Sequence, residues 1–454
     1  MRKNNMLTGS PIKTIVFFSL PIMLSSLLQY NYSLVDNIIV GRYVSTDALA
    51  AVGNVGPIGS FLIGAAFGLT SGFTIPVAHA FGAGDKRKLS HYAGNSITIS
   101  AIVGVAIIIV AHILTRPLLK AIGTPSEIID LSAAYMNILY FGVPFQMLSN
   151  NFTAISRAVG ESKKPLYFFI VSVIVNSVLD LLFVKNFKWG VEGAAWATLI
   201  ANAVAALLTG IYVIKYNKDV EIKKSDLKPN MATAWEQIKL GIPVSLQFTI
   251  TSIGSMCLQS AVNSFGANVI AGFTAAGRVE NLTNIPMSGL GVATQTFVGQ
   301  NYGARNYERI TKSVKKIFIA DIVVSVIMSL TLYLIGLPTV SLFMTEPNAA
   351  IMAAAKQYII ATAECYSLVA ILFVLRNTLQ GLGFTYSNMI AGAGEFFGRL
   401  AVAFIFTKII GFNAVCYAAP AAWLLADIPL AIIYLSKHKK FKALAAEQKA
   451  KNNI

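Results

Sequence analysis

Long apolar stretches alternate with short polar connections along the whole chain. Runs of roughly 18 or more apolar residues are long enough to cross about 30 Å of hydrocarbon as a helix. About twelve such runs can be read. They centre near residues 28, 65, 102, 143, 175 and 203, and again near 249, 284, 322, 364, 397 and 424. The ~10-residue polar–apolar alternation that marks the strands of a membrane barrel is not seen. The pattern predicts an all-α integral membrane protein with twelve transmembrane helices.

The pattern also repeats. Gly68-Leu69 leads to His79-Ala80-Phe81-Gly82-Ala83-Gly84, and 221 positions later Gly289-Leu290 leads to Gln300-Asn301-Tyr302-Gly303-Ala304-Arg305. Ser19-Leu20-Pro21-Ile22 matches Gly241-Ile242-Pro243-Val244 at nearly the same offset. A third pair sets Gly123-Thr124-Pro125 before Tyr135 and Thr345-Glu346-Pro347 before Tyr358. Two equal apolar halves are the signature of a duplicated, two-lobed membrane transporter. The expected organisation is an N-terminal lobe over 1–217 with the first six spans, a cytoplasmic linker over 218–231, a C-terminal lobe over 232–438 and a basic cytoplasmic tail over 439–454.

Composition agrees: 55% of the 454 residues are hydrophobic and 12% charged, about half the charged fraction of a soluble chain. The net charge of +16 invites a nucleic-acid reading, but its placement argues against one. Basic residues gather at alternate connections: Arg2, Lys3 and Lys13, then Lys86, Arg87 and Lys88, then Arg157, Lys163 and Lys164. Lys215, Lys218, Lys223, Lys224 and Lys228 fill the linker, and Arg305, Arg309, Lys312, Lys315 and Lys316 follow. Lys437, Lys439, Lys440 and Lys442 close the series. This is the positive-inside distribution, which predicts a multi-pass protein of the inner (plasma) membrane with both termini and the linker cytoplasmic. No cleavable signal peptide is expected, because the first apolar run belongs to the repeat.

Ionisable groups inside spans are informative, since each costs several kcal/mol unless it faces a cavity or a partner. The first span carries Asp36, with Tyr32, Gln29 or Leu28, and Ser25 on the same stripe as Pro21. The fifth carries Asn176 and Asp180 one turn apart, and the sixth carries Thr198. At 1.5 Å per residue Asp36 lies about 36 Å along an outward-running helix and Asp180 about 22 Å along another. Thr198 lies about 10 Å from the outer end of an inward-running helix. All four converge in the outer half of the first lobe. Two carboxylates in a poorly solvated pocket do not both stay ionised alone. Either one takes a proton, or a small cation sits between them with the amide and hydroxyl oxygens as further ligands. The chemistry suits a proton or sodium coupling site. The alternative sets Asp36 at a headgroup-level helix end and pairs Asp180 with Lys185 or Lys188.

The second lobe does not repeat this constellation: the counterparts of Asp36, Asn176 and Asp180 are Leu258, Gly398 and Val402. It carries Arg278 and Glu280, Glu364 and Arg376, and the i, i+4 pair Glu395–Arg399, which reads as a structural bridge. Glu280 and Glu364 are candidates to contact a cationic substrate or a second coupling ion. Pro21 interrupts the first span about four turns before Asp36 and is a candidate hinge, or else a residue tolerated for packing. Cys257, Cys365 and Cys416 lack CxxC spacing and read as packing residues; His79, His91, His112 and His438 read as interface or solvent side chains. The loops Gly82-Ala83-Gly84 and Ala158-Val159-Gly160 lack the GKS/T element of a nucleotide cradle.

At these residues the chain resembles the multidrug and toxic compound extrusion family over nearly its whole length. The resemblance rests on Leu20-Pro21-Ile22, Asp36, Ala48-Leu49-Ala50-Ala51-Val52-Gly53, Phe81-Gly82-Ala83-Gly84 and Arg157-Ala158-Val159-Gly160. Gly193-Ala194-Ala195-Trp196-Ala197-Thr198 and Gly299-Gln300-Asn301-Tyr302-Gly303-Ala304 complete it. It implies two six-helix lobes related by a pseudo-two-fold axis along the membrane normal, and export of organic cations in exchange for sodium or protons. In the branch resembled, two aspartates, an asparagine and a threonine form the first-lobe cation site; they fall on Asp36, Asp180, Asn176 and Thr198. Bending of the first helix is proposed in the family at the residue matching Pro21. Another branch uses a glutamate in the seventh span and an aspartate in the tenth. Here the seventh has only Glu236 at its edge and the tenth has Glu364, a departure from that pattern.

A polyspecific cavity needs apolar and aromatic walls with few polar anchors. Gln29, Tyr32, Phe141, Met147, Asn150 and Asn151 on the first and fourth spans are the candidates. The expected function is a secondary antiporter exporting cationic, amphipathic, drug-like molecules against H+ or Na+ by alternating access. It would have no cofactor, no enzymatic activity and no nucleic-acid partner, and would act as a monomer in the bilayer. The alternative is a flippase for a lipid-linked precursor, for which cavity arginines are expected; the first lobe has no mid-membrane Arg or Lys. An intramembrane hydrolase needs a nucleophile with a base or a metal cluster, and neither stands at usable spacing.

Overall fold

The computed structural model describes residues 6–121, 123–342 and 348–452, and among these the regular structure is helix alone. Hydrocarbon offers backbone N–H and C=O groups no partner, so an apolar run entering it closes its own hydrogen bonds as a helix. The first half forms α1 (Pro11–Tyr43), α2 (Thr46–Phe73), α3 (Ile75–Gly82), α4 (Lys86–Ala121), α5 (Ser126–Ala158), α6 (Lys163–Asp180) and α7 (Gly190–Ile211). The second forms α8 (Met231–Asn263), α9 (Ala267–Gly303), α10 (Tyr307–Leu342), α11 (Ala349–Glu364), α12 (Tyr366–Gly381), α13 (Tyr386–Ala401), α14 (Thr407–Ile410), α15 (Phe412–Cys416) and α16 (Ala418–Asn452). The repeat element Thr345-Glu346-Pro347 lies outside the described residues.

Among the described residues ten helices are long and apolar enough to cross a membrane, and α11 and α12, bent by 53° at Cys365, make an eleventh span. The twelfth expected span is α9. It is 37 residues long, but Arg278, Glu280, Asn281, Asn284, Gln295 and Gln300 dilute its apolar character. Lipid-type faces are plain on the repeat partners α4 and α10. Ile102, Val105, Ile109 and Ile113 are exposed on one, and Ile319, Val323, Ile327 and Leu334 on the other. Their helical spacing forms one continuous apolar stripe on each.

The chain divides into two compact units, Leu24–Ser245 and Leu246 onward, the second joined by the segment through Met23. This division departs from the expected lobe boundaries at 217 and 232, because the opening turns of α1 and α8 pack in the opposite half. Within the first unit α8 crosses α2 backbone to backbone. A Cβ on Gly72 would stand 2.3 Å from the Cα of Gly241, and one on Gly68 would stand 2.6 Å from that of Ser245. Gln237, next to this crossing, donates to the carbonyls of Phe73 and Tyr92 at 2.9 Å each and accepts from Asn95 at 2.8 Å. Within the second unit the equivalent Gly289 is covered by Met23 of α1, and Arg309 donates to the carbonyls of Met6, Thr8 and Gly9.

The linker lies along α4. Thr98 Oγ1 donates to the carbonyl of Leu227 at 2.7 Å, and Asn95 Oδ1 accepts from the amide of Asn230. The segment from 439 continues α16 as far as Asn452, with Phe441 packed against Tyr302 and Tyr307. One repeat feature was invisible in the residue types. α6 passes into a π-helical turn at Leu181–Asn186 and α13 into another at Val402–Phe406, 221 positions apart.

Candidate functional site

Four helices of the first unit build the site: α1, α5, α6 and α7. Asn176 and Asp180 are fully buried on one face of α6, and Asp180 is the last residue before the helix widens into its π turn. Such turns shift the register by one residue and recur at functional positions. From α7, Thr198 accepts a hydrogen bond from Tyr32 on α1 at 3.2 Å. One turn beyond Tyr32, Asp36 lies close enough to Asp180 for the two carboxyl charges to act on each other. Tyr135 of α5 closes the cluster, near both carboxyls and buried among Tyr140, Ala194 and Ala195. Its role was missed by sequence reasoning; the signal was a tyrosine on the fourth span within a repeated segment.

The cluster is short of donors. Asp36 Oδ1, both carboxylate oxygens of Asp180 and both polar atoms of Asn176 are buried without a hydrogen-bond partner. Unpaired buried polar atoms cost about 1–3 kcal/mol each, and charged ones more. Two neighbouring buried carboxyls do not both stay ionised without a proton or a cation to compensate one of them. Asn176 Oδ1 and Thr198 Oγ1 add two oxygens to theirs, a set suited to a hard cation. Among the described residues no group of three or more His, Cys, Asp or Glu side chains is placed to hold a metal ion. Asp180 makes no pair with Lys185 or Lys188; Lys185 sits over the Tyr43 ring at 5.5 Å.

The repeat provides an internal control. In the second unit Leu258 and Val402, the counterparts of Asp36 and Asp180, pack in one apolar cluster with Val262, Ala414, Val415 and Ala418. Gly398, the counterpart of Asn176, lies against the backbone of Ala422. The same pair of positions is thus brought together twice, once as a polar cluster and once as a greasy plug.

The residues named for a substrate cavity divide. Tyr32 belongs to the cluster, and Gln29, one turn earlier on α1, is exposed. Asn150 is half-buried, and Phe141 is 51% exposed with its ring edge-on to His112 at 5.1 Å. Met147 is instead a core residue packed with Ala66 and Val143, and Asn151 is a buried packing polar that accepts from Ser96 Oγ at 3.2 Å. Neither presents surface to a ligand, because each fills an interhelical seam. α1 runs through Pro21 as one continuous helix, as α8 does through Pro243.

In the second unit Glu280 is buried and accepts from Tyr358 Oη at 2.5 Å and Asn284 Nδ2 at 3.1 Å. Glu364 is exposed at the α11–α12 bend and accepts from Tyr417 Oη at 2.9 Å. The Glu395–Arg399 bridge is present at 3.2 Å, and Arg376 of α12 joins it from the other side of the carboxylate. Cys257 and Cys365 are half-buried and Cys416 is buried, all three as free thiols.

The MatE family profile matches residues 21–182 and 243–405, the two repeats. The probable multidrug resistance protein YoeA of Bacillus subtilis (strain 168) is 28% identical over 378 residues, 82% of this chain and 81% of that one. The multidrug export protein MepA of Staphylococcus aureus (strain MSSA476) is 25% identical over 436 residues, 95% of each. A solved structure described as the outward-facing conformation of a multidrug resistance MATE family transporter of the MOP superfamily superposes with a TM-score of 0.89 at 26% identity. It covers 98% of this chain and 99% of that one.

Proposed function

Because this chain belongs to the MatE (multidrug and toxic compound extrusion) family, we propose that it is an antiporter. It exports drug-like, cationic amphipathic molecules in exchange for H+ or Na+ bound between Asp36 and Asp180. The observation that carries this reading is the donor-poor cluster of the first unit, with five buried polar atoms unpartnered. The names of relatives that export several drugs support the substrate class.

The mechanism follows from charge. With a proton or cation in place, one of the two negative charges is compensated, the repulsion between the carboxyls is relieved, and α1 and α6 can stay together. Once the ion leaves, two adjacent carboxylates repel. Tyr32 ties the same stretch of α1 to Thr198 of α7, so movement of Asp36 pulls on that contact as well. Ion release into the cytoplasm and drug binding from that same side are then linked through the position of α1, which is alternating access. Exposed Gln29 and half-buried Asn150 are the polar anchors of the drug path. The basic residues at alternate connections support an inner-membrane orientation with both termini cytoplasmic.

The test is dye-cation efflux from proteoliposomes with a proton or a sodium gradient imposed separately, for wild type and Asp36→Asn. Transport driven by one gradient and lost in the variant is expected. Undiminished gradient-driven transport in the variant refutes the site assignment. No transport by wild type under either gradient refutes the antiporter reading.

A further inference from the structure

The connection between α6 and α7 carries a group of aromatic rings that the Asp36 cluster does not use. Phe183 lies in the π-helical turn, Phe187 follows it, Trp189 ends the connection and Trp196 stands on α7. Two residues with positive φ, Lys188 at 56° and Gly190 at 63°, flank Trp189. A lysine in the left-handed region is disfavoured and persists where its surroundings fix it. Here the Trp189 amide donates to the Phe183 carbonyl at 3.0 Å, and the indole stacks on the Phe183 ring with centroids 4.8 Å apart and planes at 24°. Phe187 closes on the same indole at 5.6 Å. Gly193 makes room for the stack, since a Cβ there would stand 3.1 Å from the Cβ of Phe183 and 3.2 Å from that of Trp189.

The start of α7 has two faces. Val191, Ala194 and Ala195 are buried with Ile39, Val40 and Tyr135. Trp189, Glu192 and Trp196, at i, i+3 and i+7, form an exposed stripe with the carboxylate in the middle. These three line a cleft of about 320 Å³, within the roughly 300–1,000 Å³ range of small-molecule sites. None of the ion pairs among the described residues includes Glu192, and Lys185 is taken up over the Tyr43 ring. The helix dipole accounts for a carboxylate in a first turn, and an amphipathic ring accounts for tryptophan at a membrane boundary. Neither accounts for a turn that holds one indole in a fixed stack beside a second indole and a free carboxylate.

We propose that this cleft binds a flat aromatic cation, with its charge against Glu192 and its ring against the indoles. Indole faces attract cations, and the carboxylate supplies the counter-charge. A neutral apolar guest would strip water from that carboxylate without compensating it, and an anion would be repelled by it. With the termini cytoplasmic, as proposed above, the α6–α7 connection lies on the outer side of the membrane. The cleft is then the last station of an exported cation before it leaves. Only this role rests on the antiporter reading; the binding itself does not.

Tryptophan fluorescence tests it. The chain has four tryptophans, Trp189, Trp196, Trp235 and Trp423, so a Trp235→Phe, Trp423→Phe background reports from the cleft alone. The full chain in nanodiscs of phosphatidylethanolamine and phosphatidylglycerol is titrated with N-benzylpyridinium, a cationic contact quencher, and separately with neutral acrylamide. Saturable quenching by the cation is expected above the linear response that acrylamide gives. Glu192→Gln should weaken the saturable component about fivefold, the effect of one nearby unit charge. The component should persist in Asp36→Asn even where efflux is lost, so failure of the antiporter reading leaves this test intact. No saturable component, or one that Glu192→Gln leaves unchanged, overturns the proposal. Saturable quenching abolished by choline-headgroup lipid assigns the cleft to a lipid headgroup and overturns it as well. Should the two-phenylalanine background not fold, the same comparison of wild type with Glu192→Gln decides alone.

Discussion

Replacing Gly72 by alanine attacks the closest backbone approach in the first unit. The added Cβ would stand 2.3 Å from the Cα of Gly241, 2.6 Å from its N and 2.7 Å from the carbonyl carbon of Leu240. All three are backbone atoms, so no side chain can turn aside. Restoring ordinary contact at 3.4 Å requires α2 and α8 to part by about 1.1 Å. That movement would stretch the 2.9 Å bond from Gln237 to the Phe73 carbonyl beyond hydrogen-bonding range. Strain of this kind costs about 1–3 kcal/mol, and a lost hydrogen bond adds about 0.5–1.5 kcal/mol. In a chain of 454 residues each kcal/mol moves the melting temperature by roughly 1 °C. Gly59→Ala is the control on the same helix, because its Cβ meets nothing and alanine favours helix by about 1 kcal/mol. Thermal melts of the detergent-purified protein should place Gly72→Ala several degrees below wild type and Gly59→Ala at or above it. Equal melting of the two variants would refute the reading of α2–α8 as a backbone-tight crossing.

Three further outcomes are expected. Glu395→Gln leaves two buried guanidiniums without their carboxylate and should cost about 3–5 kcal/mol, read as a lower melting temperature; a change below 1 kcal/mol would contradict the triad. Met147→Ala should lower stability by about 2–5 kcal/mol while leaving the drug profile of efflux unaltered, because the side chain is packed with Ala66 and Val143. A changed drug profile at unchanged stability would return Met147 to the cavity wall. Glu364→Gln removes the charge of an exposed acceptor of Tyr417 and should shift stability by no more than about 0.5 kcal/mol, as measured by the same melts.

The sequence by itself determined the class and the repeat. Apolar runs of span length leave helix as the only structure that satisfies its own backbone in lipid, and residues repeated at an offset of 221 or 222 announce the duplication. It also singled out Asp36, Asn176, Asp180 and Thr198, because polar groups stand out in an apolar stretch and helical rise converts numbering into depth. Tertiary structure decided what spacing along one helix cannot. Tyr135 joins the carboxyl cluster, and Met147 and Asn151 fill interhelical seams, since which face of α5 is covered depends on its neighbours. Arg376 reaches Glu395 from another helix, beyond the range of an i, i+4 rule. The exchange of the opening turns of α1 and α8 between units was equally hidden. For α8 it rests on glycines of α2 that let two backbones touch, and for α1 on Gly289 admitting the Met23 side chain; a glycine in a sequence does not say what it admits.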